Sequence, residues 1–249
     1  MKRLVKINIP LNKKILVPYE IKGIFHDFEK LSVKYFIKYL KHGDCFIDIG
    51  ASFGFYTVLG SDLVGKKGKV IAFEPSLQSL KILKQNTSKI KNIKIVEKAS
   101  SNRTKKISFY NTIDLVNSGT VKNPPFQKKQ SVIKTNVDAV KLDDYLKNLK
   151  EINFLKIDVQ GDDIKTLLGA KKIIKRSKNI KILIEWAPAW MKSAGYTALD
   201  LPKALISLGF KKLIVLDDLQ NKKMEVKDFQ KIIKKDTQKK RHVNLFAFY

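Results

Sequence analysis

Cysteine is nearly absent from this 249-residue chain; Cys45 is the only one. A lone thiol excludes an internal disulfide and any cysteine-rich metal site, and its neighbours Phe46 and Ile47 point to burial. Histidine is scarce as well. His26, His42 and His242 fall in the N-terminal segment, at a helix end and in the terminal strand, positions that suit structural or surface roles better than general-base chemistry. No run of about 18 apolar residues occurs, so no transmembrane helix is expected. The basic start, Met1 to Lys6, leads into Asn8, Pro10, Asn12 and two lysines, not into the apolar stretch of a signal peptide. A cytoplasmic location is therefore expected. Arginine is also rare: Arg3, Arg103, Arg176 and Arg241, against 50 Lys+Arg in all, 23 Asp+Glu and a net charge of +27. Such a field attracts nucleic acid, anionic membrane or acidic substrates. The lysines, however, run along the whole chain, and the guanidinium forks that recognise phosphates and bases are few. A general lysine bias explains the charge as well as a partner does.

The 44% hydrophobic content is enough for one large core. Residues 1–42 read as an N-terminal strand-and-turn segment followed by a helix, with Phe28, Leu31, Tyr35 and Tyr39 at helical spacing as core residues and Gly43 as the stop. Residues 43–249 read as strands alternating with helices. Strands are expected at Cys45–Ile49, Lys69–Phe73, Ile93–Val96, Ile152–Val159, Ile180–Glu185 and Phe210–Leu216, with a last one at His242–Tyr249. Helices are expected at Phe55–Val64, Leu77–Gln85, Asp143–Leu149, Asp163–Ile174 and near Leu199–Leu208. An insertion over about 103–141 interrupts the rhythm, with strands at Ile107–Tyr110 and Ser131–Val137 around a proline-containing loop. Asn221–Gln238 is polar and lysine-rich. The alternation predicts one structural domain: an α/β, Rossmann-like, mainly parallel sheet with helices on both faces.

The strongest local signal is Phe46-Ile47-Asp48-Ile49-Gly50-Ala51-Ser52-Phe53-Gly54-Phe55-Tyr56-Thr57, an apolar strand running through a small-residue turn into a helix. Gly50 and Gly54 let backbone approach a ligand closely, and the helix start offers free N–H groups to a carboxylate. Asp48 is placed to accept hydrogen bonds from an ammonium group. A ligand with an amino-acid end satisfies both. The second strand ends in Phe73-Glu74-Pro75, where an acid suits the two hydroxyls of a ribose and Pro75 turns the chain away. Nicotinamide binding asks for Gly-x-Gly-x-x-Gly, and Ser52 stands at its middle glycine. No Gly-Lys-Ser/Thr follows the turn, so a phosphate-binding loop is excluded. S-Adenosylmethionine fits these residues best. Asp48, Gly50, Ala51, Ser52, Gly54 and Thr57 are its expected cradle, Glu74 and Pro75 lie at its ribose, and Ala99 and Ser100 near its adenine.

The chain resembles the FkbM-type family of S-adenosylmethionine-dependent methyltransferases. The resemblance rests on the turn just described, Phe73-Glu74-Pro75, Asn86, Val140-Lys141-Leu142-Asp143-Asp144, Leu155-Lys156-Ile157-Asp158-Val159-Gln160-Gly161, Gly169-Ala170 and Ile184-Glu185. These occur in the family's order over roughly residues 29–186. It implies the class I methyltransferase fold, with seven strands and an antiparallel last one. It also implies O-methylation of a sugar or another small hydroxylated metabolite. Where the family usually has Asn, this chain has Ser52; where Glu is frequent, it has Gln160, which cannot serve as a base, and Asp163 stands where Glu is common.

Asp158 ends the fourth strand beside the crevice where strand order reverses, the place where open α/β sheets bind ligands. It is the preferred acceptor-side acid, orienting or deprotonating a hydroxyl, with capping of the following helix as the structural alternative. Glu185 is the second catalytic candidate. Together they offer only two ligands to a divalent cation, too few for a metal site to be assigned. Trp186 and Trp190 either wall the acceptor site or pack in the core. Asn123-Pro124-Pro125-Phe126 is similar to the signature of base-methylating enzymes, where it follows the fourth strand; here it lies within the insertion and reads as a loop. The expected partner is a small hydroxylated acceptor such as a glycan or glycolipid. RNA or DNA methylation is the alternative raised by the charge, and peripheral contact with anionic membrane is compatible with it.

Overall fold

The computed structural model describes residues 2–112, 115–122, 132–225 and 243–249. Strands β1 (Leu4–Ile9) and β2 (Lys13–Pro18) pair as a hairpin and lead through a 3-10 helix, Tyr19–His26, to helix α1 (Lys30–Tyr39). Then come β3 (Cys45–Ile49), α2 (Phe55–Val64), β4 (Lys69–Phe73), α3 (Leu77–Thr87), β5 (Ile93–Val96) and β6 (Ala99–Ser101). The insertion supplies β7 (Lys105–Asn111) and β8 (Ile133–Lys141), followed by α4 (Leu142–Tyr145), β9 (Phe154–Ile157), α5 (Asp163–Gly169) and α6 (Lys171–Arg176). The chain ends in β10 (Lys181–Trp186), α7 (Pro188–Ser193), α8 (Asp200–Ser207), β11 (Lys212–Asp217), β12 (Lys222–Glu225) and β13 (Val243–Phe248).

The main sheet runs β12-β11-β13-β10-β9-β3-β4-β5. Strands β10, β9, β3, β4 and β5 are mutually parallel, and β13 is antiparallel to both β10 and β11. The first seven-stranded reading is thus extended by β12, which pairs antiparallel with the outer face of β11. Its sequence, Lys222-Lys223-Met224-Glu225, has no apolar alternation, because at a sheet edge backbone pairing alone makes the strand. The insertion forms the expected β7–β8 hairpin, and β6 joins it in parallel as a separate small sheet. The Asn-Pro-Pro-Phe motif, the beginning of the predicted Ser131 strand, most of the lysine-rich 221–238 stretch and His242 lie outside the described residues.

Two helical expectations change. The helix predicted over 163–174 is two helices, broken at Ala170. Gly169 lies so close to β6 that a Cβ there would sit 2.1 Å from the Ser101 carbonyl oxygen, while the carboxylate of Asp143 caps the new start by accepting from Lys172 N and Ile173 N at 3.0 and 2.9 Å. The helix expected over 143–149 is one turn, α4, and α7 follows β10 where no helix was expected.

Period-two alternation assigns the faces. Ile47, Ile49, Leu155, Ile157, Ile182 and Ile184 point into one core with α5, α6 and α8. On the opposite face Phe46, Phe154, Leu183 and Phe246 meet α1, α2 and the N-terminal hairpin. Phe36 of α1 is the hub there. It is fully buried and packs edge-on against Phe46, Tyr56 and Phe154 at centroid distances of 4.9–5.1 Å. The start of α1 is fixed from across the sheet: Asp218 accepts from Leu31 N, Ser32 N and Ser32 Oγ at 2.6, 3.1 and 2.6 Å. Truncating Phe36 leaves a cavity where the N-terminal segment docks, so Phe36→Ala should cost about 3–5 kcal/mol in equilibrium urea denaturation. A loss under about 1 kcal/mol would show that this segment is peripheral to the fold.

Candidate active site

Along β3, β9 and β10, the aromatic and aliphatic face just described ends in charge. Phe46 is followed two residues on by Asp48, Phe154 by Lys156 and then Asp158, and Leu183 by Glu185. In-register pairing sets Asp48 beside Lys156 on neighbouring strands. The sheet therefore carries its apolar core up to the C-terminal rim and there presents a row of ionisable groups on one face. This row floors a cavity of about 330 Å³.

The turn after β3 forms one wall. Gly50 N and Ala51 N both donate to Phe73 O at 3.0 Å, and Gly50, at φ 81°, lies so near β9 that a Cβ would meet the Asp158 carbonyl oxygen at 1.8 Å. Ser52 is also left-handed, at φ 51°, and its N–H donates to Glu74 Oε2 at 2.8 Å. The other oxygen of Glu74 accepts from Ser76 N at 2.8 Å. Asn86, on α3, donates to Phe53 O at 2.7 Å and to Leu16 O at 2.9 Å, tying the turn to β2.

Of the residues expected from sequence, Asp48, Gly50, Ala51, Ser52, Glu74, Pro75, Ala99, Ser100, Asp158 and Glu185 all line this cavity. Gly54 and Thr57 stand behind its wall. Gly54 allows the left-handed start of α2 at φ 93° and close packing on Leu83, and Thr57 donates from Oγ1 to Asp48 Oδ2 at 2.6 Å. Asp158 does not cap the next helix. The helix start has no side-chain cap; Asp163, its first residue, instead holds the preceding loop, accepting from Val159 N and Gly161 N at 3.1 Å. Trp190 reaches the cavity, whereas Trp186 is core and donates from Nε1 to Ala198 O at 2.8 Å. Cys45 lies at the opposite end of β3, and burial pushes its thiol up to about 11, which makes it a poor nucleophile.

Sequence reasoning missed three contributors. Lys156 is 4% exposed; its ammonium donates to Asp158 Oδ2 at 3.1 Å and lies over the Tyr56 ring, 4.8 Å from the centroid. Burial works against its charge, yet Asp158, Asp48 and Glu29 hold its pKa above the ordinary value. Glu29 precedes α1 and is left-handed at φ 43°; it accepts from the Tyr56 hydroxyl at 2.5 Å. Phe25, Phe28 and Phe55 form an aromatic wall with centroids 4.8–6.1 Å apart. A lysine inside a β-strand and a glutamate between a phenylalanine and a lysine carry no local mark of function.

Burial also shifts the acids. It raises Asp48 against the pull of Lys156 and Thr57, brings Glu74 to about 7 despite its two backbone donors, and pushes Glu185 well up, helped by the charges of Asp158, Asp163 and Glu29. Among the described residues no group of three metal-type ligands forms, and the cation against Asp158 is the Lys156 ammonium.

The family model described as the methyltransferase FkbM domain matches residues 48–212, more than half of the chain. The chain belongs to the FkbM methyltransferase family. It is an S-adenosylmethionine-dependent methyltransferase of the class I fold. No curated protein matches it. Among solved structures, the Streptococcus mutans protein SMU.1697c in complex with SAH aligns over 88% of this chain and 96% of that one, with TM-score 0.52 and 15% identity. Aeropyrum pernix fibrillarin with natively bound S-adenosyl-L-methionine aligns over 99% and 100%, with TM-score 0.51 and 11% identity. The Methanococcus jannaschii fibrillarin pre-rRNA processing protein aligns over 100% and 99%, with TM-score 0.52 and 14% identity. At these identities the likeness is one of fold.

The cavity suits this FkbM cofactor. Asp48 Oδ1, Ser52 Oγ and Glu185 Oε2 are buried without a hydrogen-bond partner among the described residues, and all three residues line the cavity. Buried polar groups left this way are costly unless a ligand engages them. Two carboxyl oxygens and a hydroxyl without partners, in residues that line a space walled by acids, suit a cationic, donor-rich ligand, which the sulfonium and ammonium groups provide.

Replacing Glu74 by Ala should weaken S-adenosylmethionine binding by roughly 1.5–3 kcal/mol in isothermal titration, and Gly50→Ala should abolish it by closing the turn onto Asp158; NAD should bind neither wild type nor variants. Binding of NAD, or unchanged cofactor affinity in Glu74→Ala, would contradict this geometry.

The raised acid at Glu74 makes the unliganded protein pH-sensitive. Its folded pKa of about 7 exceeds the usual 4.5, so the contribution is fully present at low pH and is lost as pH rises through 7. Relative to wild type, Glu74→Gln should gain stability by about 1.4 kcal/mol per pH unit between about pH 4.5 and 7, and the difference should be level above 7. Thermal melts of both proteins from about pH 4 to 8.5 would show it; curves that stay parallel between about pH 4.5 and 7 would contradict it.

Proposed function

We propose that this enzyme transfers the methyl group to a hydroxyl oxygen of a sugar or another small hydroxylated molecule. The observation that carries the reading is the acceptor side of the cavity: Asp158 is held there by Lys156 and by Gln160, whose Nε2 donates to Asp158 Oδ1 at 2.9 Å. It lines one cavity together with buried Glu185 and with Phe25, Phe28 and Phe55. Carboxyl oxygens accept hydrogen bonds, and hydroxyls donate them. The aromatic wall matches the C–H face of a sugar ring. An amine acceptor would have to enter as the free base, which this acidic enclosure disfavours by stabilising the ammonium form.

The cofactor supplies an activated methyl group on a good leaving group. The protein's part is positional. The Gly50–Gly54 turn and Asp48 fix the methionine end, Glu74 the ribose, and Ala99 and Ser100 border the adenine side. Asp158 orients the acceptor oxygen in line with the methyl carbon, and a fixed in-line geometry is worth several orders of magnitude. Lys156 keeps the Asp158 carboxylate in one rotamer. Trp190 and the phenylalanines exclude water from the same space.

The +27 net charge favours a second reading, methylation of RNA or DNA, and it also favours attachment to anionic lipid surfaces. Among the described residues no helix is long and apolar enough to cross a membrane. A cytoplasmic site of action is part of the proposal.

Methyl incorporation from labelled S-adenosylmethionine into neutral sugars, amino sugars and glycolipids, set against tRNA and rRNA over a salt titration, separates the two. Incorporation into a sugar hydroxyl is expected, with Asp158→Asn slower by about 10²-fold or more and cofactor affinity unchanged. Salt-sensitive incorporation into RNA alone would replace this reading by the second.

A further inference from the structure

The acceptor hydroxyl must lose a proton as its oxygen takes the methyl group, and the acids on the sheet rim are poorly suited to receive it. Gln160 has no basic atom. Asp158 is engaged on both oxygens, one by an ammonium and one by an amide. Burial and the charges around it raise the Glu185 carboxyl well above its ordinary value, which disfavours the ionised form that a base needs.

Glu29 is different in each respect. It comes from the N-terminal segment, lines the same cavity, and is joined through Tyr56 to the phenylalanines Phe28 and Phe55. Its left-handed backbone, φ 43° in a non-glycine residue, is a conformation that persists only where surroundings impose it. Here the next turn is clamped by Asp218 through Leu31 and Ser32. One carboxyl oxygen, Oε2, accepts from the Tyr56 hydroxyl at 2.5 Å; the other has no hydrogen-bond partner among the described residues, in a residue that lines the cavity. The Tyr56 ring in turn lies under the Lys156 ammonium, which bonds Asp158. A continuous chain of contacts therefore joins Glu29 to the acid that orients the acceptor.

From this geometry we propose that Glu29 is the general base of the reaction, a catalytic residue contributed by the N-terminal segment. The inference rests on the hydroxyl-methylation reading above. The acceptor O–H bond breaks and its proton passes to the free oxygen of the Glu29 carboxylate. The new O–CH3 bond forms as the S–CH3 bond breaks, and that electron pair stays on sulfur, giving a neutral thioether. The proton then leaves Glu29 to solvent, so atoms and charge balance without another reactant.

The surroundings support the assignment. Burial brings the Glu29 carboxyl up to about 7; Lys156 from β9 and the Tyr56 hydroxyl from α2 pull it down, while Asp158 beyond β9 and Asp218 beyond β11 push it up. A base with a pKa near the working pH combines availability with driving force. Since the ionised form is the active one, the rate should rise with pH through a limb near or below 7 and then level off.

The test uses the full chain, labelled S-adenosylmethionine and the hydroxylated acceptor found in the panel. Glu29→Gln is nearly isosteric and should fold, melting within a few degrees of wild type. It should bind S-adenosylmethionine within about twofold of wild type, lower kcat by about 10²-fold and flatten the acidic limb. Tyr56→Phe removes the hydrogen bond that favours the carboxylate, so its limb should move to higher pH, a shift that a purely structural role would not produce. Independently of turnover, carbon-13 NMR of the glutamate-carboxyl-labelled protein should show a resonance titrating near pH 7 that vanishes in Glu29→Gln. An active wild type whose Glu29→Gln variant keeps both its rate and its limb overturns the base assignment alone. A wild type that methylates no hydroxyl at all overturns the underlying reading and the assignment with it.

Discussion

The buried ammonium of Lys156 is the contact on which the site depends. It stands among Asp48, Asp158 and Glu29, each of which raises its pKa. Without it these acids would face one another across a dry cavity, where a charge left unpaired is far more costly than in water. The lysine is affordable only because the aromatic face of Tyr56 and the Asp158 carboxylate take over from its hydration shell. The arrangement is reciprocal. Lys156 keeps Asp158 in place, and Asp158 with Asp48 favours the charged form of Lys156.

That contact is in turn a product of strand alternation. In each of β3, β9 and β10 an apolar residue on the α1–α2 face is followed, two positions on, by an ionisable one. Parallel in-register pairing then sets the ionisable residues side by side. A one-residue slip in β9 would send Lys156 and Asp158 into the opposite core, so the hydrophobic pattern that fixes the sheet also fixes the chemistry. The glycines complete this. Gly50 brings the turn within van der Waals reach of the end of β9, closing one wall of the cavity onto its floor.

The sequence displays those parts of the site that are made of contiguous residues. The Gly50–Gly54 turn and Glu74 are legible because a strand end, a small-residue bend and a helix start are neighbours in the chain, and the structure brings them into one cavity. Strand order and the antiparallel β13 follow from the alternation and the family pattern. What is hidden is whatever depends on distant segments meeting. Glu29 acquires meaning only when α1 is pinned by Asp218, nearly the whole chain away. The sequence offers Trp186 and Trp190 as a wall of the cavity; Trp190 lines it, but Trp186 points from β10 into the opposite core, and Phe25, Phe28 and Phe55 line it as well, of which only Phe28 stands out in the sequence, as a core residue at helical spacing. The break between α5 and α6 was hidden for the same reason, since it follows from contacts of Gly169 with β6 and of α6 with Asp143.

The contrast between exterior and interior charge bears on turnover. A chain of net charge +27 presents a generally repulsive field to a cationic cofactor, so uptake must rely on local potential, and low-dielectric walls lined by acids concentrate it. The same acids distinguish the two ends of the reaction. The sulfonium carries a positive charge that the thioether product lacks, so the ionised acids that line the cavity lose a favourable interaction once the methyl group has left. The raised pKa values of Asp48, Glu74 and Glu185 mark the cost of holding these groups together without a cation, and that cost returns as product forms. Electrostatic binding is thus strongest before transfer and weakest after it. This asymmetry favours release of product over its retention, and it arises from burial and strand register alone.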